Sequence, residues 1–149
     1  MDVTGKTAIV LGGTSGIGLA TTNRLTELGA KVVAVSREPE KAKDSVAQGV
    51  ELRSCSILDR AGLTVLFQEW SKFDILVCAA TGGSRAAGPF LEMDLDAYQA
   101  SFAKLWGYTN AVRLGAEHLG SHGAIVLVSG APAPESRNAG ERVVAATEP

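Results

Sequence analysis

An α/β fold is what this sequence predicts: a doubly wound parallel sheet with helices on both faces, three α/β/α layers, and strand order 3-2-1-4-5. Three observations lead there. Short apolar, largely β-branched runs alternate with amphipathic stretches along most of the chain. The first run, Thr7-Ala8-Ile9-Val10-Leu11, passes directly into Gly12-Gly13-Thr14-Ser15-Gly16-Ile17-Gly18 and from there into a helical pattern. With 17 glycines and only 5% aromatics, the 149 residues suit many tight strand-to-helix turns around one core, which makes a single domain.

The elements follow in order. After the strand at 7–11, the spacing of Ile17, Leu19, Ala20, Leu25 and Leu28 predicts a helix beginning near Ser15 or Gly16, with Ser15 able to cap its open N–H groups and Gly29 closing it. Residues 31–35, Lys-Val-Val-Ala-Val, read as a buried strand, so 7–35 form one βαβ unit with a right-handed crossover. Pro39 opens a short charged helix at 40–48 that Gly49 ends, and 50–57 is a third strand. Asp59 caps a helix through Leu63, Leu66, Phe67 and Trp70, and 74–80 is the fourth strand. Residues 81–89, with three glycines and a proline, form a loop. Asp94 then caps one long helix whose apolar face carries Leu95, Tyr98, Phe102, Leu105, Val112, Ala116 and Leu119, with Gly120 and Gly123 as its stop. Residues 124–128 make the fifth strand, and 131–149 carry only a weak structural signal.

Charge and hydropathy exclude several function classes. Fourteen Lys plus Arg against 16 Asp plus Glu leave a net −2 without a basic cluster, which is no nucleic-acid footprint. No apolar run approaches the roughly 18 residues needed to span a bilayer, and Asp2 with no apolar stretch behind it argues against a secretory leader, so the expected compartment is the cytoplasm. Cys55 and Cys78 fall in apolar runs read as strands and are expected to be reduced core thiols. His118 and His122 bracket the expected end of the long helix, where a cation is favoured, and no set of residues has metal-ligand spacing.

The glycine turn points to a bound phosphate. A strand feeding a glycine-rich turn that opens a helix converges backbone N–H groups and the positive helix end on one point. Gly12 permits the tight turn, Gly16 close approach to a pyrophosphate, and Gly18 packing of the helix on the strand, with Thr14, Ser15 and Ile17 completing the loop. About 20 residues further on, an NAD site places a carboxylate for the ribose hydroxyls. Here the second strand ends Val35-Ser36-Arg37, a hydroxyl and a guanidinium suited to a 2′-phosphate, so NADP(H) is favoured over NAD(H). The alternative is that Arg37 is an ordinary solvated charge.

These features together resemble the short-chain dehydrogenase/reductase family, whose dinucleotide-binding domain is of the Rossmann type. Leu11-Gly12-Gly13-Thr14-Ser15-Gly16-Ile17-Gly18 is similar to that family's Thr-Gly-x-x-x-Gly-Ile-Gly turn, with Leu11 in place of Thr. Ser56-Ile57 stands where the family usually has Asp-Val beside the adenine, and Asp74-Ile75-Leu76-Val77-Cys78-Ala79-Ala80-Thr81 resembles its fourth strand, which usually ends Asn-Asn-Ala-Gly. The resemblance therefore implies cofactor contacts from Ser56, Ile57, Ala79 and Ala80. Phe102-Ala103-Lys104-Leu105-Trp106-Gly107 resembles the helical segment that normally carries a catalytic Asn, at the position of Lys104. Gly130 stands where the family delivers its catalytic Ser, and Val143 and Thr147 where its Tyr-x-x-x-Lys pair is expected; no Tyr follows Tyr108 and no Lys follows Lys104.

Two functions are therefore expected. One is an NADP(H)-dependent oxidoreductase for a small carbonyl/alcohol substrate, with Lys104 as the stand-in for the proton-handling group. The other is a nucleotide-binding module, or a truncated member of the family, that holds the cofactor without turnover. A sheet ending at the fifth strand would leave an apolar edge, so the chain is expected to form a homo-oligomer, to pair with a missing C-terminal half, or to be marginally stable.

Overall fold

The computed structural model describes residues 2–81, 86 and 89–129. Its centre is a five-stranded parallel sheet in the order β3-β2-β1-β4-β5, as the sequence predicts. The strands are β1 (Thr7–Leu11), β2 (Lys31–Ser36), β3 (Glu51–Ser54), β4 (Phe73–Cys78) and β5 (Leu119–Leu127). The helices are α1 (Gly16–Glu27), α2 (Arg60–Glu69), α3 (Leu95–Ser101) and α4 (Ala103–Gly115).

Both faces of the central strands are buried, because successive side chains point to opposite sides of a strand and both sides are apolar here. Ile9, Leu11, Val33, Val35, Leu76 and Cys78 share one core with Leu63, Leu66 and Phe67 of α2 and Tyr108 and Ala111 of α4. Ala8, Val10, Val32, Ile75 and Val77 form the other, which Leu25 of α1 covers. Register is set by one-to-one pairing, Leu11 lying beside Val35 on one side and Cys78 on the other, so the strands of the central trio end level. At the opposite end, Asp74 joins β4 to β1 by accepting from the Thr7 N–H (2.9 Å) and from Lys6 Nζ (3.1 Å).

Several elements differ from the sequence reading. Residues 40–48 hold only a 3-10 turn at Pro39–Ala42. So short and polar a segment has little helical stability of its own, and Asn23 of α1 takes its backbone instead, donating to Ser45 O (3.0 Å) and accepting from Ala47 N (2.8 Å). The third strand stops at Ser54 rather than at 57, because the Leu58 N–H turns back to Ser56 Oγ and the Asp59 N–H to Ser56 O. Cys55 therefore lies just past the strand. Asp59 caps α2 as expected, accepting from Gly62 N at 3.0 Å.

The single long helix is two. α3 ends at Phe102, where ψ opens to −9°, and α4 starts again at Ala103. Next to the break, the buried Ser101 hydroxyl accepts from Ala86 N (2.8 Å) and donates to Ala97 O (3.0 Å), tying the helix end to the preceding segment. The expected apolar stripe also fails: Leu95 and Leu105 are exposed, while Gly107, Tyr108, Asn110, Ala111 and Gly115 face the core. Small residues let α4 lie close to the sheet, and close approach decides which face is buried more than residue hydrophobicity does. Tyr98 sits half-buried, edge-on to Phe90 and Phe102, and Trp106 is exposed. Gly120 and Gly123 do not stop a helix; α4 ends at Gly115, a 3-10 turn covers Ala116–His118, and both glycines belong to β5. His122 accordingly lies in the strand, while His118 Nδ1 meets Ser71 Oγ at 3.3 Å.

Most of the loop at 81–89, the region 131–149, and Gly130, Val143 and Thr147 lie outside the described residues. Among the described residues, no helix is long and apolar enough to cross a membrane.

Candidate functional site

The carboxyl ends of β1 to β4 open on one cleft, between the turn after β1 and the segment after β3. The turn is built by close contacts. The Gly12 N–H donates to Val35 O (2.7 Å), and Ala79 N donates to Leu11 O (2.8 Å), so the chain leaves β1 held by both neighbouring strands. Gly12 has φ +83°, and a Cβ there would stand 2.6 Å from Ala80 N; a Cβ on Gly18 would stand 2.0 Å from Gly12 O. Only glycine fits at either position, which lets the first turn of α1 fold down onto the end of the strand. Thr22 Oγ1 donates to Gly13 O (3.0 Å) and fixes the turn from inside the helix. Gly16, at φ +49°, faces open space, the cradle that a phosphate approaching the helix end requires. Ser15 precedes α1 in extended conformation but makes no side-chain cap, contrary to expectation; it lines the cleft instead.

The second wall comes from β2 and β3. Cys55 N donates to Ser36 O (3.0 Å) and Ser54 Oγ to Arg37 O (3.0 Å), so the backbone at Ser36-Arg37 is held while the Arg37 side chain is exposed. The Ser36 hydroxyl is buried and, among the described residues, has no hydrogen-bond partner. A buried hydroxyl without a partner is costly, which marks it as a group awaiting one. Beside it, Thr14, Ser15, Ser36, Arg37 and Lys41 line a shallow groove, and Glu38 shares it. Lys41 binds the Glu38 carboxylate and holds it below the usual carboxylate range, chiefly by that hydrogen bond. Ser56 Oγ accepts from Leu58 N (3.3 Å), which leaves its O–H free to donate.

On α4, Lys104 is half-buried, its ammonium 5.6 Å from the centre of the Tyr108 ring. The Tyr108 hydroxyl donates to Val128 O at 2.6 Å. Burial pushes the Tyr108 pKa up to about 12, with Cys78 adding to the shift, so the phenol stays protonated and keeps that bond at neutral pH. Cys78 is itself pushed up to about 12 by burial, which leaves an inert core thiol. Neither Cys55 nor Cys78 is in a disulfide.

The cleft brings together Gly12, Thr14, Ser15, Ser36, Arg37, Ser56, Ile57, Ala79 and Ala80 from four separate stretches of sequence. Gly16, Ile17 and Gly18 shape its entrance without lining it, Ile17 being 65% exposed. Lys104 is not among the lining residues. Leu11, Val35, Cys55 and Thr81 complete the wall and carry no signal in the sequence beyond ending apolar runs. Sequence reasoning also missed Asn110. It is only 9% exposed and donates from Nδ2 to Ile57 O (3.1 Å). Its place between Tyr108 and Ala111 on a face of small residues was the available clue.

The residues present fit a dinucleotide: a glycine turn with room at Gly16, an unpartnered hydroxyl and a guanidinium at the end of β2, and an apolar wall at Ile57 and Ala79-Ala80. Comparison with known proteins agrees with that geometry. A family model described as short chain dehydrogenase matches residues 6–141. Short-chain dehydrogenase reductase 4 of Arabidopsis thaliana is 30% identical over 94% of this chain and 53% of its own length. The 3-oxoacyl-[acyl-carrier-protein] reductase FabG of Rickettsia prowazekii is 34% identical over 54% of this chain and 34% of its own. Among solved structures, BdcA in complex with NADPH superposes with a TM-score of 0.74 at 27% identity, over 87% of this chain and 54% of that one. A short-chain type dehydrogenase/reductase from Mycobacterium ulcerans superposes at 0.78 with 25% identity, over 87% and 53%. The chain thus spans about half the length of the Arabidopsis relative and of these solved structures.

Proposed function

The chain belongs to the short-chain dehydrogenase/reductase family of oxidoreductases, and from that premise we propose that it binds NADP(H) for hydride exchange with a small carbonyl/alcohol pair. The observation that carries the cofactor choice is the end of β2. A carboxylate at that position would repel a 2′-phosphate, whereas this chain offers the Ser36 hydroxyl, without a partner among the described residues, and the Arg37 guanidinium, the nearby Glu38 carboxylate being paired with Lys41. Similarity to a protein solved with NADPH supports the same choice.

The remaining lining residues divide the work. The N–H groups around Thr14 to Gly16 and the positive end of α1 hold the pyrophosphate, while Gly12 keeps the turn low enough for it to approach. Ser56 and Ile57 hold the adenine by a hydroxyl and an apolar contact, and Ala79 and Ala80 form the floor beneath the second ribose. When bound, the nicotinamide gives or takes the hydride, so the protein must orient the carbonyl, exclude water and supply a proton to its oxygen. Lys104 is the candidate donor, placed half-buried on α4 at the family's active-site Asn position, with its ammonium over the Tyr108 ring.

Titration with NADPH and NADH, followed by nicotinamide fluorescence, tests the binding claim. NADPH should bind at least about tenfold more tightly, since one charge-assisted contact to the 2′-phosphate is worth that much. Equal affinity, or no binding of either, would falsify it. A carbonyl-reduction screen then tests the chemistry. Lys104→Ala should lower turnover by about 100-fold while leaving NADPH affinity within a factor of two. Unchanged turnover would remove Lys104 from the mechanism, and binding without reduction of any carbonyl offered would favour a cofactor-holding module.

A further inference from the structure

The segment Ser56-Ile57 lies beyond the last bond of the sheet. Among the described residues, the β2–β3 ladder extends no further than the bond from Cys55 N to Ser36 O, and the Leu58 and Asp59 N–H groups then fold back locally on Ser56. A rim held only by its own turn would not have a defined position relative to the glycine turn across the cleft. The hold comes from α4. Asn110 Nδ2, on a residue more than nine-tenths buried, donates to Ile57 O at 3.1 Å. One turn earlier, Gly107 presses against the Ile57 side chain so closely that a Cβ would stand 2.2 Å from Ile57 Cδ1. On the same helix the Tyr108 hydroxyl holds Val128 O, at the end of β5. One helix thereby fixes the carboxyl-terminal ends of the third and the fifth strand, on either side of the β1–β4 crevice.

We propose that Asn110 is a positioning residue for the adenosine half of the cofactor, acting through Ile57 to set the distance between the Ser56-Ile57 rim and the glycine turn. This rests on the dinucleotide reading of the cleft. Asn110 touches no cofactor atom itself. Losing its donor leaves the Ile57 carbonyl buried without a partner, and the segment must move to rehydrate it. Such movement costs affinity for the base and its ribose while leaving the glycine turn, held independently by Val35 and Thr22, in place. A mid-helix Asn that served stability alone would lower the unfolding temperature without changing the affinity of the folded protein.

The test uses 2′,5′-ADP as the probe for the adenosine half, with NADPH beside it, at a temperature where circular dichroism shows each variant fully folded. Asn110→Leu and Asn110→Asp keep the size and remove the donor; each should weaken 2′,5′-ADP by about tenfold, the weight of one buried hydrogen bond. Asn110→Ser leaves room for a bridging water and should lose less affinity than the Leu and Asp variants; if those two do not fold, a loss of more than twofold in the Ser variant supports the proposal. Affinities within twofold of the parent in every folded variant, whatever their unfolding temperatures, would overturn it. Failure of the parent chain to bind 2′,5′-ADP, NADPH or NADH would overturn the dinucleotide reading and this inference with it.

Discussion

Gly18 and Gly16, two residues apart in one motif, serve different physical ends. At Gly18 the constraint is contact: a Cβ would lie 2.0 Å from Gly12 O, backbone that cannot move without lifting the turn off β4. Gly18→Ala should therefore destabilise the fold by about 3 kcal/mol, at the upper end for overpacking, as read from chemical denaturation. At Gly16 the surroundings are empty and the cost is only the backbone angle, φ +49°. Gly16→Ala should cost about 1 kcal/mol of stability, yet on the proposed reading it places a methyl where the phosphate would approach, so NADPH affinity should fall by more than stability does. Proportionate losses of both would count against a phosphate at Gly16. Ser36 and Arg37 invite a sharper exchange: if the proposed NADP(H) preference holds, Arg37→Asp should reverse it toward NADH, measured as the ratio of the two dissociation constants. That Gly12 and Gly18 make a tight turn, and that Ser36-Arg37 end β2 at the cleft, was legible from spacing alone, because local backbone geometry suffices for both. Asn110 was not, since its burial depends on which way α4 rolls against Ile57.

Among elements, one carboxylate ties β4 to the start of β1 at the amino-terminal end of the sheet. Asp74 accepts from the Thr7 N–H and, less strongly, pairs with Lys6, and these contacts hold its pKa below the ordinary 3.8. A group whose folded pKa is depressed contributes stability in full above its unfolded value and loses it as pH falls through the folded one. The contribution of Asp74 should thus be complete near neutrality and decline below about pH 4, toward its lower folded pKa. Asp74→Asn should flatten that part of the acid limb of the stability–pH profile; an unchanged limb would show that the tie contributes nothing. The charged stretch at 40–48 and the helix break at Phe102 were illegible for a common reason. In each, a side chain from elsewhere, Asn23 in one case and Ser101 bonded to Ala86 N in the other, competes for backbone groups that a propensity argument assigns to a helix. β5 is a related case: Leu119 pairs with Phe73 before the register shift, so strand begins where glycines in sequence had suggested only a helix stop.

At the scale of the whole molecule, the central three strands are buried on both faces and β5 is not. Val126 and Leu127 are each about half exposed, and Leu105 and Trp106 of α4 are exposed with Phe90, Leu91 and Leu95 ahead of it. Among the described residues β5 is an edge strand, and an apolar edge together with an apolar helical surface favours association. We expect the chain to self-associate as its concentration rises, in sedimentation velocity, and Trp106→Glu to shift it toward smaller species. A monomer that is unchanged over a hundredfold range of concentration would refute this.

By itself, the sequence determined the parallel sheet, its strand order and the glycine turn after β1, because these follow from short-range facts: where β-branched runs fall, how far apart they are, and where glycine interrupts them. Tertiary structure decided which face of α4 is buried, where β3 stops, that the Ser15 side chain lines the cleft without capping α1, and that Ser36 keeps a buried hydroxyl without a partner among the described residues. Those outcomes depend on close approach between elements distant in sequence, as between Gly107 and Ile57, and such an approach leaves no periodic trace along the chain.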